Sequence, residues 1–216
     1  MIRETFPVGL LACNCTILGD EVSRDAIVID PGYDIPEILT KLAAHQLTVR
    51  QILITHAHID HIAGALELKR ITGAPILYSK EDLPQLAIMD QQAAWLGVET
   101  PQVRPPDHSP ADNETISIRG LEGKVIHTPG HTQGSLCLHI PSQNLLLAGD
   151  TLFAGGVGRT DFPGGDQDTL FASIRDRLLS LPDQTIVVPG HGEETTLATE
   201  RASNPFVLYL TGKGRV

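Results

Sequence analysis

Five short apolar runs in this chain end in the same kind of punctuation. The runs at 26–29, 51–54, 124–127, 145–148 and 186–188 are rich in β-branched and aliphatic residues, as buried strands are. They exit through Asp30-Pro31-Gly32, Thr55-His56, Thr128-Pro129-Gly130-His131, Gly149-Asp150 and Pro189-Gly190-His191. Pro and Gly make tight exits from a strand, and each exit delivers a His or Asp to the mouth of a loop, where binding groups are commonly carried. Strands that share a direction bring these ends to one edge. The pattern therefore predicts a polar site along one rim of the sheet structure.

Between the apolar runs lie amphipathic helices. Ile35, Ile38, Leu39 and Leu42 follow an i, i+3, i+4, i+7 spacing, and Leu170, Phe171, Ile174 and Leu178 do much the same after the helix-start signal Gly-Gly-Asp166. Residues 80–94 are expected to form another helix, interrupted or started around Pro84, and 96–114, rich in Pro and polar residues, reads as a connecting segment. No low-complexity tract or linker divides the chain, so residues 1–216 are expected to form one α/β domain.

Composition narrows the function classes. With 16 Lys+Arg against 26 Asp+Glu, a formal charge of −10 and no basic run, the chain lacks the electrostatic drive for binding a phosphate backbone, so nucleic acid is not an expected partner. The N-terminal Met-Ile-Arg-Glu-Thr-Phe-Pro lacks the apolar core of an export signal, and no stretch is long enough for a membrane-spanning helix; a soluble cytoplasmic protein is the expectation. Three cysteines, Cys13, Cys15 and Cys137, argue against a disulfide framework and are expected to pack in the core. Nine histidines are more informative. His45, His108, His127 and His139 are scattered, whereas His56, His58, His61, His131 and His191 each occupy a distinctive setting.

The densest signal is Thr55-His56-Ala57-His58-Ile59-Asp60-His61. In extended chain His56 and His58 point to the same side, and a turn into the helix marked by Ile59, Ile62 and Leu66 folds Asp60 and His61 back toward them. Imidazole nitrogens and a carboxylate oxygen are the donors expected for zinc and other borderline metals. Isolated surface or helix-start histidines are the plain alternative, but the two further Pro-Gly-His segments weigh against it. Five imidazoles with Asp60 and Asp150 are too many donors for one tetrahedral ion; two ions sharing a carboxylate, about 3.5–4 Å apart, use all seven.

At these residues the chain resembles the metallo-β-lactamase superfamily, and within it the short hydroxyacylglutathione hydrolase (glyoxalase II) branch. The resemblance extends over nearly the whole length, through Asn14-Cys15, Asp30-Pro31-Gly32, the histidine cluster, Thr128–Thr132, Ala148–Phe153, Gly156–Asp161, Pro189–Gly192 and Asn204-Pro205-Phe206. It implies a four-layered αβ/βα sandwich with the metals at one edge of the two sheets. It also implies His56, His58 and His131 on a first metal, Asp60, His61 and His191 on a second, and Asp150 bridging them. The cofactors are then two divalent ions, zinc first, with iron or manganese as alternatives. The implied reaction is hydrolysis of a small anionic acyl thioester, such as an S-2-hydroxyacylglutathione, by a metal-bridging hydroxide.

Charge supports that chemistry. Two dications, two carboxylates and one hydroxide leave the site at about +1, so an anionic substrate is compatible with the acidic chain. Asp60 is a candidate proton donor to the leaving group. Asp30, from its place at a strand end, is expected to hold an imidazole in orientation. By resemblance Arg159 is the candidate substrate-binding cation, with pairing to Asp161 as its plainer role. The glycines at 155, 156, 158, 164 and 165 lack the Lys-Ser/Thr ending of a phosphate-binding loop and are expected to shape the loop beside the metals.

Two alternatives remain in view. Persulfide dioxygenases share the implied fold and the Gly-Arg-Thr-Asp-Phe segment at 158–162, and hold a single iron by two His and one Asp. A β-lactamase is disfavoured because Asp150 stands where the common zinc β-lactamases use Cys. The 25 residues after His191 carry only Arg201, Lys213 and Arg215 as cations, few for a glutathione-binding extension.

Overall fold

The computed structural model describes residues 1–214; Arg215 lies outside the described residues. The first half of the chain runs β1 (Ile2–Val8), β2 (Cys13–Gly19), β3 (Asp25–Ile29), α1 (Ile35–Ala44), β4 (Thr48–Leu53), α2 (Ile59–Ile62), α3 (Ala65–Thr72), β5 (Ile76–Leu77), α4 (Leu83–Ala87) and α5 (Met89–Leu96). The second half runs β6 (Thr115–Ile118), β7 (Leu121–His127), β8 (Leu136–Ile140), β9 (Leu145–Gly149), β10 (Leu152–Phe153), β11 (Gly156–Val157), α6 (Gln167–Ser173), β12 (Ile186–Pro189), β13 (Thr195–Thr196), α7 (Leu197–Ser203) and α8 (Pro205–Leu210).

The strands form two main sheets, ordered β1-β2-β3-β4-β5 and β13-β12-β9-β8-β7-β6, with β10 and β11 as a separate ribbon. Their residues alternate between layers because successive strand side chains point to opposite faces. Leu18, Ile27, Ile29 and Leu53 of the first sheet meet Val125, Leu136, Leu138, Leu147 and Val188 of the second in a central apolar layer. The intervening residues Ile17, Ala26, Val28 and Ile52 face outward onto α1, α2, α3 and α5. On the far side Ile126, Cys137, Leu146, Ala148 and Val187 pack against α6, α7 and α8. Both faces of each sheet are thus covered, which gives the expected αβ/βα sandwich and explains why the strands read as continuous apolar runs.

β3 pairs parallel with β4, and β9 pairs parallel with β12. Since β8 is antiparallel to both β7 and β9, β7 runs in the same direction as β9. The anticipated strands thus run in one direction within each sheet, and contacts between the residues that follow them, His56 with His131 and His61 with Asp150, bring their C-terminal ends to one edge of the sandwich.

Local signals account for the helices. Asp166 caps α6 by accepting a 2.8 Å bond from the Thr169 amide, and the helix passes into a π-helical turn over Ile174–Leu178. Residues 80–94 divide differently from one continuous helix: a 3₁₀ turn at Lys80–Asp82 leads into α4, with Pro84 in its first turn, and α4 breaks from α5 at Ile88. Proline is tolerated in a first turn because its missing N–H has no intrahelical acceptor there. The three cysteines are free and buried. Among the described residues no helix is long and apolar enough to cross a membrane.

Candidate metal centre

The strand exits place seven donors together. Asp30 leaves β3 with φ of 51°, a left-handed turn that Asp tolerates better than most residues. That turn directs its carboxylate back to the end of β4, where Oδ1 accepts from the Thr55 amide and Oδ2 from the Thr55 hydroxyl, both at 2.7 Å. The chain beyond β4 bends at Thr55-His56 and is extended at His58, and α2 begins at once, returning Asp60 and His61 to the same edge. The loops after β7, β9 and β12 supply His131, Asp150 and His191.

Three of the imidazoles form a tight triangle. His56 Nε2 lies 3.0 Å from His58 Nδ1, and His131 Nε2 lies 3.1 Å from the first and 2.9 Å from the second. Beside them His191 Nε2 is 3.0 Å from Asp60 Oδ2, and His61 Nε2 is 3.6 Å from the same oxygen. Asp150 lies between the groups, with Oδ2 3.6 Å from His131 Nε2 and 3.8 Å from His191 Nε2, and Oδ1 3.5 Å from His61 Nε2.

The outward ring nitrogens of four of the histidines are committed elsewhere. His131 Nδ1 donates to the Arg159 carbonyl at 2.7 Å, His191 Nδ1 to the Leu11 carbonyl at 3.0 Å, and His61 Nδ1 to Asp30 Oδ2 at 3.0 Å. Thr55 gives its only hydroxyl proton to Asp30, so at 3.2 Å it accepts from His56 Nδ1. In their neutral forms His56, His61, His131 and His191 then present a bare lone pair on the inward Nε2, as His58 does on Nδ1. Lone pairs that converge without protons between them call for a cation. Two buried atoms sharpen the point: among the described residues His61 Nε2 and Asp150 Oδ1 have no hydrogen-bond partner, an arrangement that is costly unless an ion satisfies it. The donor set, all nitrogen and carboxylate oxygen, suits a borderline divalent metal. Cys13 Sγ is 3.5 Å from His61 Nδ1 and groups with His61 and His191 within 4.8 Å. Burial pushes its thiol up to about 12, so it stays protonated and packs as a core residue.

Electrostatics favours the ligating forms of His56, His58 and Asp60, whereas for His61 and His191 the surrounding carboxylates outweigh burial and raise both, so these two rings hold a proton more readily until an ion displaces it. Burial, reinforced by the neighbouring imidazoles, holds His56 well below its ordinary value and His58 at about 3. Burial alone would raise Asp60, but His61 and His191 outweigh it and keep the carboxylate ionised. This bears on Asp60 as a proton donor: it carries no proton at neutral pH and must first accept one. An unfolded histidine titrates at 6.5, so between about pH 6.5 and 3 the unfolded chain takes up a proton that His58 refuses. The metal-free protein should therefore lose stability as pH falls through that window. Urea midpoints of chelator-treated protein should fall less steeply in His58→Gln; identical slopes would refute the linkage.

Several residues that hold the site have no short-range motif. Asp82 Oδ2 accepts from the Ala57 amide at 2.8 Å and the Thr132 hydroxyl at 3.0 Å, while Oδ1 accepts from the Gly134 amide at 2.7 Å. It thereby ties the His56-Ala57-His58 segment to the loop bearing His131. Asn14 Nδ2 donates to the carbonyls of Pro189 and Gly192 at 3.0 and 2.9 Å, bracketing His191. Buried Glu200 accepts from the Gly155 amide at 2.9 Å and from Asn204 Nδ2 at 2.7 Å, securing the turn after β10. Gly190 is required sterically, since a Cβ there would overlap Asp150 Oδ1.

Arg159 stands apart from the donors. Its guanidinium is exposed, bonds both oxygens of Asp161 at 2.9 and 2.7 Å, and lies 4.1 Å over the Phe162 ring. His45, His108 and His127 are engaged away from the cluster, with Glu4, Glu114 and the Pro110 carbonyl respectively.

Comparison with known proteins extends this picture. A family model described as metallo-beta-lactamase superfamily matches residues 8–191. The hydroxyacylglutathione hydrolase GloC of Haemophilus influenzae is 35% identical over 206 residues, which cover 94% of this chain and 97% of that protein. Among solved structures, the BLEG-1 B3 metallo-beta-lactamase superposes with a TM-score of 0.89 at 33% identity, covering 95% of this chain and 99% of that one. TTHA1623 in a di-iron-bound form gives 0.85 at 34% identity, covering 95% and 100%. ETHE1 from Myxococcus xanthus gives 0.81 at 26%, covering 100% and 92%.

Proposed function

The chain belongs to the metallo-beta-lactamase superfamily, and from that premise we propose that it is a two-metal hydrolase of small acyl thioesters, of the hydroxyacylglutathione hydrolase type. The observation that carries the reading is the grouping of seven donors about one shared carboxylate, with His61 Nε2 and Asp150 Oδ1 otherwise unpartnered. His56, His58 and His131 would hold one divalent ion, Asp60, His61 and His191 the other, and Asp150 would belong to both. GloC, 35% identical, supports the thioester class. The di-iron form of TTHA1623 keeps iron beside zinc as a candidate metal.

Divalent ions in such a site supply Lewis acidity and water acidified toward neutral pH. The chain's own groups do the rest. Asp30, Thr55 and the carbonyls of Leu11 and Arg159 fix the ring orientations, so little reorganisation is needed when charge develops on the substrate. Asp60, ionised beside His61 and His191, can accept the proton that water loses and return it to the departing thiolate. No serine or cysteine nucleophile is needed, which agrees with the protonated state of buried Cys13.

Arg159 is proposed to contact an anionic part of the substrate at the rim, a role in competition with its pairing to Asp161. Under this reading Arg159→Ala raises KM for S-lactoylglutathione more than for an uncharged thioester; equal effects on both assign Arg159 to loop support. The persulfide dioxygenase alternative requires two His and one Asp on one iron and leaves four of the seven donors idle. Protein purified without added metal, analysed for metal content and assayed in parallel on S-lactoylglutathione, a chromogenic β-lactam and a persulfide with oxygen monitoring, separates the readings. Two ions per chain with thioester turnover is the expected result. One iron per chain with persulfide-dependent oxygen uptake would overturn it.

A further inference from the structure

A cleft of about 180 Å³ opens beside the cluster where His58 and Asp60 reach the surface. Its other walls are Leu11, Ile59, Ile88, Trp95, Leu96 and Phe162, with Pro163, Gln85 and Gln92 completing it. From this lining we infer that the cleft receives the acyl group of the substrate and selects an apolar, branched or aromatic one over a hydroxyacyl group. The inference rests on the thioester hydrolase reading and narrows it.

Three observations carry it. First, the two glutamines in the wall are already used. Gln85 Nε2 donates to the Pro163 carbonyl at 2.7 Å, and Gln92 accepts from the Ile59 amide at 2.9 Å while donating to the Gln85 carbonyl at 3.1 Å. A hydroxyl entering the cleft would lose water and find no partner among them, a cost that an alkyl or phenyl group does not incur. Second, among the described residues no Lys or Arg lines the cleft, and its titratable groups are the two candidate ligands. Glutathione, with two carboxylates and an ammonium, has no counter-charge there. The space is also smaller than the roughly 300–1,000 Å³ of sites that enclose a drug-sized ligand, so it takes one end of the substrate only.

Third, the mouth leaves apolar surface in water. Leu11 is 44% exposed and Trp95 59% exposed, although both are large hydrophobic side chains. Trp95 and Phe162 lie near-parallel, 15° between planes and 6.1 Å between centroids, and the Arg159 guanidinium rests over Phe162. A paired aromatic wall held from outside favours a ring or a branched chain, which gains by contact with it.

Trp95 is the sole tryptophan, so its fluorescence reports occupancy directly. The binding probe is the ketone in which CH₂ replaces sulfur in the phenylacetyl thioester of N-acetylcysteamine; the lactoyl ketone is its comparator. With the holoenzyme as purified, the phenylacetyl ketone should quench Trp95 saturably, Phe162→Ala should weaken binding about tenfold, and the lactoyl ketone should bind at least about tenfold more weakly. In turnover, the phenylacetyl thioester should exceed the lactoyl thioester in kcat/KM, and Trp95→Ala should erase the preference mainly through KM. Equal binding of the two ketones, or equal kcat/KM for the two thioesters, would overturn the inference and leave the hydrolase reading intact. Selective quenching that Phe162→Ala weakens, without turnover of either thioester, would sustain the cleft's selectivity and refute the hydrolase reading.

Discussion

Asp150→Ala should remove metal and activity together. Its Oδ2 faces His131 Nε2 at 3.6 Å and His191 Nε2 at 3.8 Å, so one oxygen borders both triads, and Oδ1 has no other partner. Loss of residues that merely orient metal ligands costs about 10–100-fold; loss of a ligand common to two ions should exceed that and leave at most one ion per chain. Metal analysis of wild type and variant purified in parallel, with initial rates on one thioester, checks the expectation. Circular dichroism of both proteins after chelation separates a folding defect from a binding defect. A variant that keeps two metals and full turnover would refute the shared-ligand role.

Asp82→Ala should be the most destabilising substitution that touches no candidate metal donor. The carboxylate is 1% exposed and accepts from the Ala57 and Gly134 amides and the Thr132 hydroxyl. Burial is the largest influence on it and raises its pKa, so these donors are what keep a carboxyl here tolerable. Alanine would strand three buried donors at about 1–3 kcal/mol each, offset in part by removal of the buried charge, for a net loss of about 3–5 kcal/mol. Urea denaturation of the metal-free proteins measures that loss directly. Because the same carboxylate joins the segment of His56 and His58 to the loop of His131, metal affinity should fall as well. A loss below about 1 kcal/mol would show that water replaces the carboxylate at little cost.

These two residues mark the boundary of what the sequence discloses. Asp150 is legible because Gly149-Asp150 ends an apolar run, and four other runs end the same way. Strands buried on both faces need apolar residues throughout, and their exits need Pro, Gly or a turn-forming Asp, so both strand positions and a common polar edge follow from local chemistry. Asp82 lies in a short 3₁₀ turn with ordinary neighbours, and its partners are 25 to 52 positions away. No local periodicity encodes that. Asn14 and Glu200 are silent for the same reason, as is the cleft, whose walls come from Leu11, α2, α5 and the Phe162 loop. The break at Ile88 also escaped pattern reading, since the visible signal, Pro84, starts a helix rather than ending one. Asp30, at a strand end, reads in the sequence as a partner for an imidazole, but which ring it meets depends on the return of the chain through α2.

The division of the donors between the sheets has a consequence for how the protein comes to hold its ions. His56, His58, Asp60 and His61 follow the first sheet, whereas His131, Asp150 and His191 follow the second. Neither half alone supplies a complete set for either proposed ion, because His131 completes one and His191 the other. Under the proposed ligand sets, a complete site for either ion exists only once the two sheets have docked across the central apolar layer. Nascent chain emerging with its histidine cluster exposed would bind weakly and release, and tight retention would act as a proofreading step that rewards only the finished sandwich. By mass action, each ion held by the folded chain alone also deepens its stability with rising metal concentration. The supply of metal would thereby set the lifetime of the protein as well as its activity.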